Sequence, residues 1–260
     1  MRSMPTIDHP YGDIEYQRYP GNEALPTAVF LHEGLGSIAQ WGRLPALFSK
    51  LTSMPALVYS RHGYGGSGGT RERSVDYLHH EALEVLPSVL DALSISLGPV
   101  LVGHSDGATI AAIYAATHAV TAAILIAPHI VVEECTLDGI RTAQERFDDN
   151  IAASLAPFHD DPAELFAHWA DVWLSPQFRS FDVTPLLPSI TDPVLVMQGE
   201  ADNFGSLRQV DLVQQHVSGP VRTVVLAGIA HHPHLETLEE TSEHLSKFAT
   251  EVTSGHGYPC

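Results

Sequence analysis

The chain has 260 residues, of which 44% are hydrophobic and 17% charged, so it suits one medium-sized folded domain and not a disordered chain. Its 31 acidic and 13 basic residues give a formal net charge of -18, which disfavours nucleic acid and anionic membrane surfaces as partners. Because there are only two cysteines, Cys135 and Cys260, and the N-terminus lacks the apolar core of a signal peptide, we expect a cytoplasmic protein without a disulfide framework.

Six short apolar runs predict buried strands, at residues 27–32, 55–60, 99–104, 122–127, 193–199 and 221–227. Near-continuous apolar runs of this kind are typical of strands that are covered on both faces. Helical patterns lie between them, at about 38–51, 76–97, 106–118, 206–217 and 235–251. This alternation predicts an α/β protein, with a mostly parallel twisted sheet and helices on both faces.

The alternation is interrupted between the fourth and fifth predicted strands. The intervening sequence is helix-prone and aromatic, and it is far longer than an ordinary connection. We therefore expect a helical cap inserted at residues 129–190, over a core formed by residues 1–128 and 191–260. The alanine-rich stretch 108–128 could pass for a membrane span, but it carries His118 near its centre and divides into a helix and a strand. We interpret it as buried core and expect no membrane association.

The segment LVGHSDGAT, residues 101–109, places Ser105 between two glycines where a predicted strand meets a predicted helix. Residues 103–107 fit the G-x-S-x-G pattern of a nucleophile elbow. Glycine at both flanks removes side chains that would collide with neighbouring backbone in so tight a turn. The start of a helix also favours a developing anion. The motif alone leaves open an ordinary strand–turn–helix junction.

A serine nucleophile needs a base, and the base needs an orienting carboxylate. Asp202 follows the strand at 193–199, with Glu200 as a rival carboxylate, and His231 follows the strand at 221–227. Because the carboxyl ends of parallel strands meet at one edge of a sheet, we expect these groups to emerge at the edge that carries Ser105.

In these residues the chain resembles the α/β-hydrolase fold superfamily, over most of its length. Three segments carry the resemblance: GHSDG, QGEAD, and GIAHHPHLE where many members read G-x-G-H-x-P. The resemblance implies a serine hydrolase, esterase- or lactonase-like, with a helical cap. It implies Ser105 as the nucleophile, His231 as the base and Asp202 as the acid.

Residues 31–37, LHEGLGS, resemble the oxyanion loop of that family, with Glu33 in place of the first glycine. The resemblance implies that the backbone amides of Gly34 and Asp106 are the oxyanion donors. Glu33 could line the substrate pocket or fasten the loop. Among the aromatic residues of the predicted cap, Trp169 and Trp173 are candidates for the pocket wall.

Two further motifs suggest rival sites. His231, His232 and His234 could suggest a metal site, but Pro233 interrupts helical geometry and no H-E-x-x-H or cysteine ligand set accompanies them. Residues 63–68 match G-x-G-x-x-G, but no strand ending in an acidic residue follows at the distance that a dinucleotide fold requires. We expect neither a metal nor a cofactor.

The expected substrate is a small to medium, partly apolar carboxylic ester or lactone. A carbon–carbon bond hydrolase of diketones and a thioesterase are the alternatives on the same three residues, whereas a dehalogenase is disfavoured because Ser105 stands where those enzymes have aspartate. A ligand receptor that keeps the fold without turnover is the alternative from another class. We expect a monomer or a homodimer.

Overall fold

The computed structural model describes residues 4–254. Its strands form one eight-stranded sheet in the order β1-β2-β4-β3-β5-β6-β7-β8. The six strands from β4 to β8 along this order are parallel, whereas β2 is antiparallel to both β1 and β4. The strands are β1 (Thr6–Ile7), β2 (Ile14–Tyr19), β3 (Ala28–Leu31), β4 (Ala56–Tyr59), β5 (Val100–His104), β6 (Ala122–Ile126), β7 (Val194–Gly199) and β8 (Val221–Leu226).

Helices cover both faces of this sheet. They are α1 (Leu44–Thr52), α2 (Tyr77–His80), α3 (Leu86–Ala92), α4 (Asp106–Ala115), α5 (Glu134–Glu145), α6 (Ala152–Leu155), α7 (Pro162–Leu174), α8 (Arg208–His216), α9 (Pro233–Glu236) and α10 (Leu238–Thr253). The side chains of β3 show the two-sided burial, since Val29 and Leu31 pack into one apolar cluster and Ala28 and Phe30 into the other. The predicted fold class, a mostly parallel sheet with helices on both faces, is confirmed.

The six predicted strands are present, but β1 and β2 were missed. The sequence of β2, IEYQRY, carries polar and partly exposed residues because it lies near an edge of the sheet. It therefore lacks the continuous apolar run by which the central strands were found.

Two helix predictions were also too simple. The helix expected at 38–51 is divided by Gly42, whose φ of 58° ends a 3₁₀ turn at Ala39–Trp41 before α1 begins. The helix expected at 76–97 contains a π-helical turn at Glu81–Val85, and α3 ends at Ala92. Periodicity in a sequence does not distinguish such turns from a regular helix.

The connection between β6 and β7 contains α5, α6 and α7, together with 3₁₀ turns at Phe178–Ser180 and Thr184–Ser189. We call residues 129–190 the cap segment. Aromatic rings pack along it, with Trp173 contacting both Trp169 and Phe178. The alanine-rich stretch 108–128 forms most of α4 and all of β6, and within residues 4–254 no helix has the length and apolarity that crossing a bilayer requires.

Candidate active site

The turn between β5 and α4 is strained at Ser105, which has φ 53° and ψ -117° although it is not glycine. A Cβ on Gly103 would collide with the carbonyl oxygen of Gly107, and a Cβ on Gly107 would collide with that of Leu31. The two glycines therefore allow β5, α4 and β3 to approach closely. The Ser105 amide donates to the Ile126 carbonyl at 2.9 Å, which fixes the turn against β6.

Asp202 and His231, which lie beyond β7 and β8, form a hydrogen-bonded pair. Nδ1 of His231 lies 2.8 Å from Oδ2 of Asp202, whose side chain is 0% exposed. The Asp202 carboxylate also accepts from Nε2 of Gln198 at 2.6 Å and from the Phe204 amide at 2.7 Å. Burial raises the pKa of Asp202, and the Phe204 amide opposes that rise. With the carboxylate on Nδ1, the Nε2 atom of His231 is left as the proton acceptor.

His104, the last residue of β5, fastens the loop that carries His231. Its Nε2–H donates to the His231 carbonyl at 2.7 Å, and the centroids of the two rings are 5.0 Å apart. Burial, followed by the charge of His104, lowers the pKa of His231 well below its usual value. The ring of His231 is therefore neutral at neutral pH, as a general base must be.

The hydroxyl of Ser105 contacts a histidine that the sequence analysis did not single out. Its Oγ lies 3.2 Å from Nε2 of His129, and within the described part of the chain it makes no hydrogen bond to His231. His129 follows β6 by three residues, and its ring lies 5.8 Å from that of His231, measured between centroids. The sequence could have identified His129 by its position just beyond the carboxyl end of β6, because the other candidate groups also follow the ends of strands.

The loop after β3 is held by two side chains. Nδ1–H of His32 donates to the Glu33 carbonyl at 2.8 Å, and Nη2 of Arg61 donates to the same carbonyl at 2.7 Å. A Cβ on Gly34 would collide with the indole of Trp169, so α7 packs directly on this loop. Gly34 is thus placed beneath the cap segment and beside the cavity that Ser105 lines.

Glu33 both lines this cavity and faces the histidine cluster. Its Oε2 is 3.9 Å from Nδ1 of His104, and its side chain is 15% exposed. Burial alone would raise the pKa of Glu33, but the imidazole of His104, with a smaller contribution from His232, holds that pKa below its usual value. Glu33 is therefore an anion on the cavity wall.

The side chain of Asp106, the residue after Ser105, points into the protein. Tyr77 donates its hydroxyl to Oδ2 of Asp106 at 2.5 Å and accepts the indole N–H of Trp173 at 3.0 Å. Arg61 lies 3.9 Å from the same carboxylate oxygen. Burial raises the pKa of Asp106, and the charge of Arg61 acts against that rise. This network connects the start of α4 to α7 of the cap segment.

Ser105, His129 and His231 line one cavity of about 210 Å³. The predicted pocket residues Glu33, Trp169 and Trp173 also line it. Most of its apolar wall comes from the cap segment, through Ile140, Ile151, Leu155, Trp169 and Trp173, and the loops after β3 and β7 add Leu35 and Phe204. A larger cavity of about 580 Å³ lies along α3 and contains none of the candidate catalytic groups. We therefore assign the candidate active site to the smaller cavity, where the chemistry-bearing groups converge.

Residues of both rival motifs make contacts within the protein. In the glycine-rich loop, the Gly65 amide donates to Nδ1 of His159 at 3.1 Å, so this loop contacts the cap segment. The rings of His231, His232 and His234 pack around His104 at centroid distances of 5.0, 5.0 and 4.8 Å. No group of three or more histidine, cysteine, aspartate or glutamate side chains within residues 4–254 is arranged to hold a metal ion.

Comparison with known proteins agrees with this architecture. The sequence model of the alpha/beta hydrolase family matches residues 28–244. No curated protein matches the chain significantly. Among solved structures, a bacterial membrane phospholipase A has a TM-score of 0.78 and 21% identity, with coverage of 96% of this chain and 86% of the other.

Two enzymes whose substrates are lactones are also similar in structure. An enol-lactonase from Burkholderia xenovorans has a TM-score of 0.75 and 19% identity over 95% of this chain and 100% of the other. An N-acyl homoserine lactone degrading enzyme has a TM-score of 0.72 and 23% identity over 94% and 100%. At such identities these structures show a shared fold. The match of the family model over most of the chain shows more: this protein belongs to the alpha/beta hydrolase family and is a hydrolase.

Proposed function

We propose that the protein is a serine hydrolase that cleaves a carboxylic ester or lactone through Ser105, His231 and Asp202. One observation carries the proposal: a strained serine at a strand–helix turn lines the same cavity as a neutral histidine that is hydrogen-bonded to a buried carboxylate. This is the combination of groups that nucleophilic acyl transfer needs. It requires the Ser105 hydroxyl, which contacts His129 in this structure, to direct its proton toward Nε2 of His231 during reaction.

In the proposed mechanism, Oγ of Ser105 attacks the acyl carbon while Nε2 of His231 takes the hydroxyl proton. The amides of Gly34 and Asp106 donate to the oxyanion, and the N-terminus of α4 adds a favourable dipole. His231 then passes its proton to the leaving oxygen. A water molecule attacks the acyl-enzyme, again with His231 as the base, and releases the acid. Asp202 keeps the proton of His231 on Nδ1 and stabilises the imidazolium.

The cavity supports a small to medium substrate with an apolar part. Its apolar wall lies on the cap side, whereas Glu33, Gln40 and His232 line it elsewhere. We infer that an apolar acyl group lies under the cap segment. We include lactones among the proposed substrates because two structurally similar enzymes act on them. The anionic Glu33 disfavours a substrate that carries a carboxylate close to the scissile bond.

The nucleophile is tested with Ser105→Ala. We expect kcat on p-nitrophenyl butyrate to fall by at least about 10³-fold in a variant that remains folded, because attack on the acyl carbon is lost. A fluorophosphonate probe should label the wild-type protein at Ser105 and leave the variant unlabelled. Wild-type activity in Ser105→Ala would refute the proposed nucleophile.

The same preparation distinguishes the remaining alternatives. A panel of esters, lactones, thioesters and diketones should show the highest kcat/KM for an ester or a lactone. Highest activity on a thioester or on a diketone would instead indicate the alternative reactions of the same three residues. Tight ligand binding without labelling of Ser105 would indicate a receptor, which family membership already disfavours.

A further inference from the structure

The Ser105 hydroxyl contacts the imidazole of His129, and it shares its cavity with the imidazole of His231, which the proposed mechanism uses. His129 is 3% exposed, and its Nε2 is the side-chain atom that the Ser105 Oγ contacts, at 3.2 Å. Its backbone is locked to α4, since the Thr109 hydroxyl donates to the His129 carbonyl at 3.0 Å and lies 3.1 Å from the His129 amide. The ring also packs edge-on against Trp173, with centroids 5.0 Å apart. This histidine is therefore held rigidly beside the reacting atom.

The surroundings of the ring determine which nitrogen carries its proton. Nδ1 of His129 is buried and has no hydrogen-bond partner within the described residues. A buried N–H without an acceptor is rarer in folded proteins than a buried acceptor without a donor. The proton therefore belongs on Nε2, which makes His129 a donor to Oγ. Burial, with a smaller contribution from the nearby His231 ring, lowers the pKa of His129 to about 3, so the ring of His129 is neutral at neutral pH.

We propose that His129 is a further catalytic residue, whose Nε2–H donates a hydrogen bond to Oγ of Ser105 while His231 moves the proton. The proposal rests on the proposed function of Ser105 and His231. In acylation the Oγ–H bond breaks toward His231 as the Oγ–carbon bond forms. In deacylation the Oγ–carbon bond breaks and Oγ receives a proton from His231. His129 keeps its own proton in both steps.

The contribution of His129 should be greatest when negative charge collects on Oγ. A neutral donor at this atom stabilises the departing Oγ of the acyl-enzyme, in the way that oxyanion donors stabilise the other oxygen. Because His129 has no carboxylate on Nδ1, it lacks the partner that would orient and stabilise an imidazolium. It is therefore a donor and not a second base.

The test compares His129→Phe, which removes the donor, with His129→Gln, which keeps an N–H donor on a side chain of moderate length. We expect His129→Phe to lower kcat/KM on p-nitrophenyl butyrate by about 10- to 100-fold and His129→Gln to recover at least about half of that loss on a logarithmic scale. The acidic limb of the pH–rate profile should keep its midpoint in both variants, because His231 sets it. His168→Phe is the control, since His168 is partly exposed, faces Glu164 and does not line the cavity.

The possible results distinguish failure of the donor role of His129 from failure of the Ser105–His231 mechanism. Wild-type kcat/KM in a folded His129→Phe variant, or equal losses in His129→Phe and His129→Gln, would overturn the donor role and leave the Ser105–His231 mechanism intact. If His231→Asn retained activity while both His129 variants lost it together with the acidic limb, His129 would be the base and both proposals would fail. Circular dichroism and thermal unfolding establish that each variant is folded.

Discussion

Ser105 has a positive φ, which residues other than glycine rarely adopt. This conformation occurs at the proposed nucleophile, whose side chain lines the cavity. Strain of this kind costs about 1–3 kcal/mol and persists when the surrounding structure enforces it. Here the close approach of α4 to the carbonyl of Leu31, permitted by Gly107, supplies that enforcement. The strained turn therefore lowers the stability of the folded state, and it holds the Ser105 hydroxyl in the cavity.

We predict that Ser105→Gly unfolds at a higher temperature than Ser105→Ala. Both variants lack the hydroxyl and should be inactive, but glycine has no Cβ to oppose a φ of 53°. The expected difference is about 1 kcal/mol, or roughly 2–4 °C in Tm for a domain of this size. Thermal unfolding of the two variants checks it. Equal melting temperatures would show that the turn is not strained.

Asp202 and Glu200 both follow β7, and the structure gives them different partners. Asp202 binds Nδ1 of His231, whereas Glu200 is exposed and accepts from the Gly228 amide at 3.1 Å. We predict that Asp202→Asn lowers kcat by about 10³- to 10⁴-fold, because the amide would favour the wrong tautomer of His231. Glu200→Gln is the matched control and should stay within about two-fold of wild type. The reverse ranking of the two variants would make Glu200 the acid.

At the scale of elements, polar contacts join the cap segment to the core beside the loop that follows β3. His159 accepts from the Gly65 amide through Nδ1 and donates from Nε2 to the Leu35 carbonyl at 2.9 Å. Arg71, which lies between β4 and α2, forms ion pairs with Asp160 and Glu164 of the cap segment. These contacts hold α7 over the cavity and steady the loop that contains Gly34.

We predict that Arg71→Ala raises KM for p-nitrophenyl butyrate by about two- to ten-fold with a smaller change in kcat, because the roof of the cavity is less firmly held. Arg141→Ala is the control, since Arg141 also forms two ion pairs but both are with residues of α5, Glu134 and Asp138. Steady-state kinetics of the two variants, with hydrogen exchange of α7, measures the effect. Equal KM values would show that the Arg71 contacts do not position the cap segment.

The elements differ in how far the sequence could predict them. The central strands and the turn at Ser105 were predictable because continuous apolar runs and paired glycines have local physical causes. The contact between Ser105 and His129 was not, since it depends on side-chain rotamers of residues that two different strands bring together. The same holds for the network of Tyr77, Trp173 and Asp106, whose members lie on α2, α7 and α4.

At the scale of the whole molecule, histidines are a large titratable class, with 16 in the chain against 13 lysines and arginines. Burial is the leading cause of a lowered pKa at nine of them: His9, His32, His62, His79, His129, His159, His231, His232 and His234. Below pH 6.5, many of these rings are therefore neutral in the folded protein but would be protonated in the unfolded chain. The unfolded state therefore binds more protons as the pH falls through that value.

We predict that Tm decreases as the pH is lowered from about 7.5 to about 5.5, because each such ring favours the unfolded state once its unfolded form takes up a proton. Three buried carboxyl groups have the opposite effect, because burial raises their pKa and the folded state then binds protons more readily than the unfolded chain: Asp106, Asp202 and Glu81. Their effect on Tm begins above the ordinary carboxyl pKa values of 3.8 and 4.5. The decrease should therefore begin near pH 6.5 and become steeper just below it. Thermal unfolding at a series of pH values measures it, and a constant or rising Tm would contradict it.

The groups proposed to break the bond are attached to the ends of β3, β5, β6, β7 and β8, whereas the roof above them is built from one uninterrupted stretch of chain between β6 and β7. Residues 134–189 could consequently be exchanged for the corresponding stretch of another hydrolase without cutting any strand of the sheet. A chimera made in this way should retain its hydrolytic machinery and acquire the substrate range of its donor. Retained hydrolysis with an altered substrate range in such a chimera would show that selectivity and reactivity are encoded in separable parts of the gene.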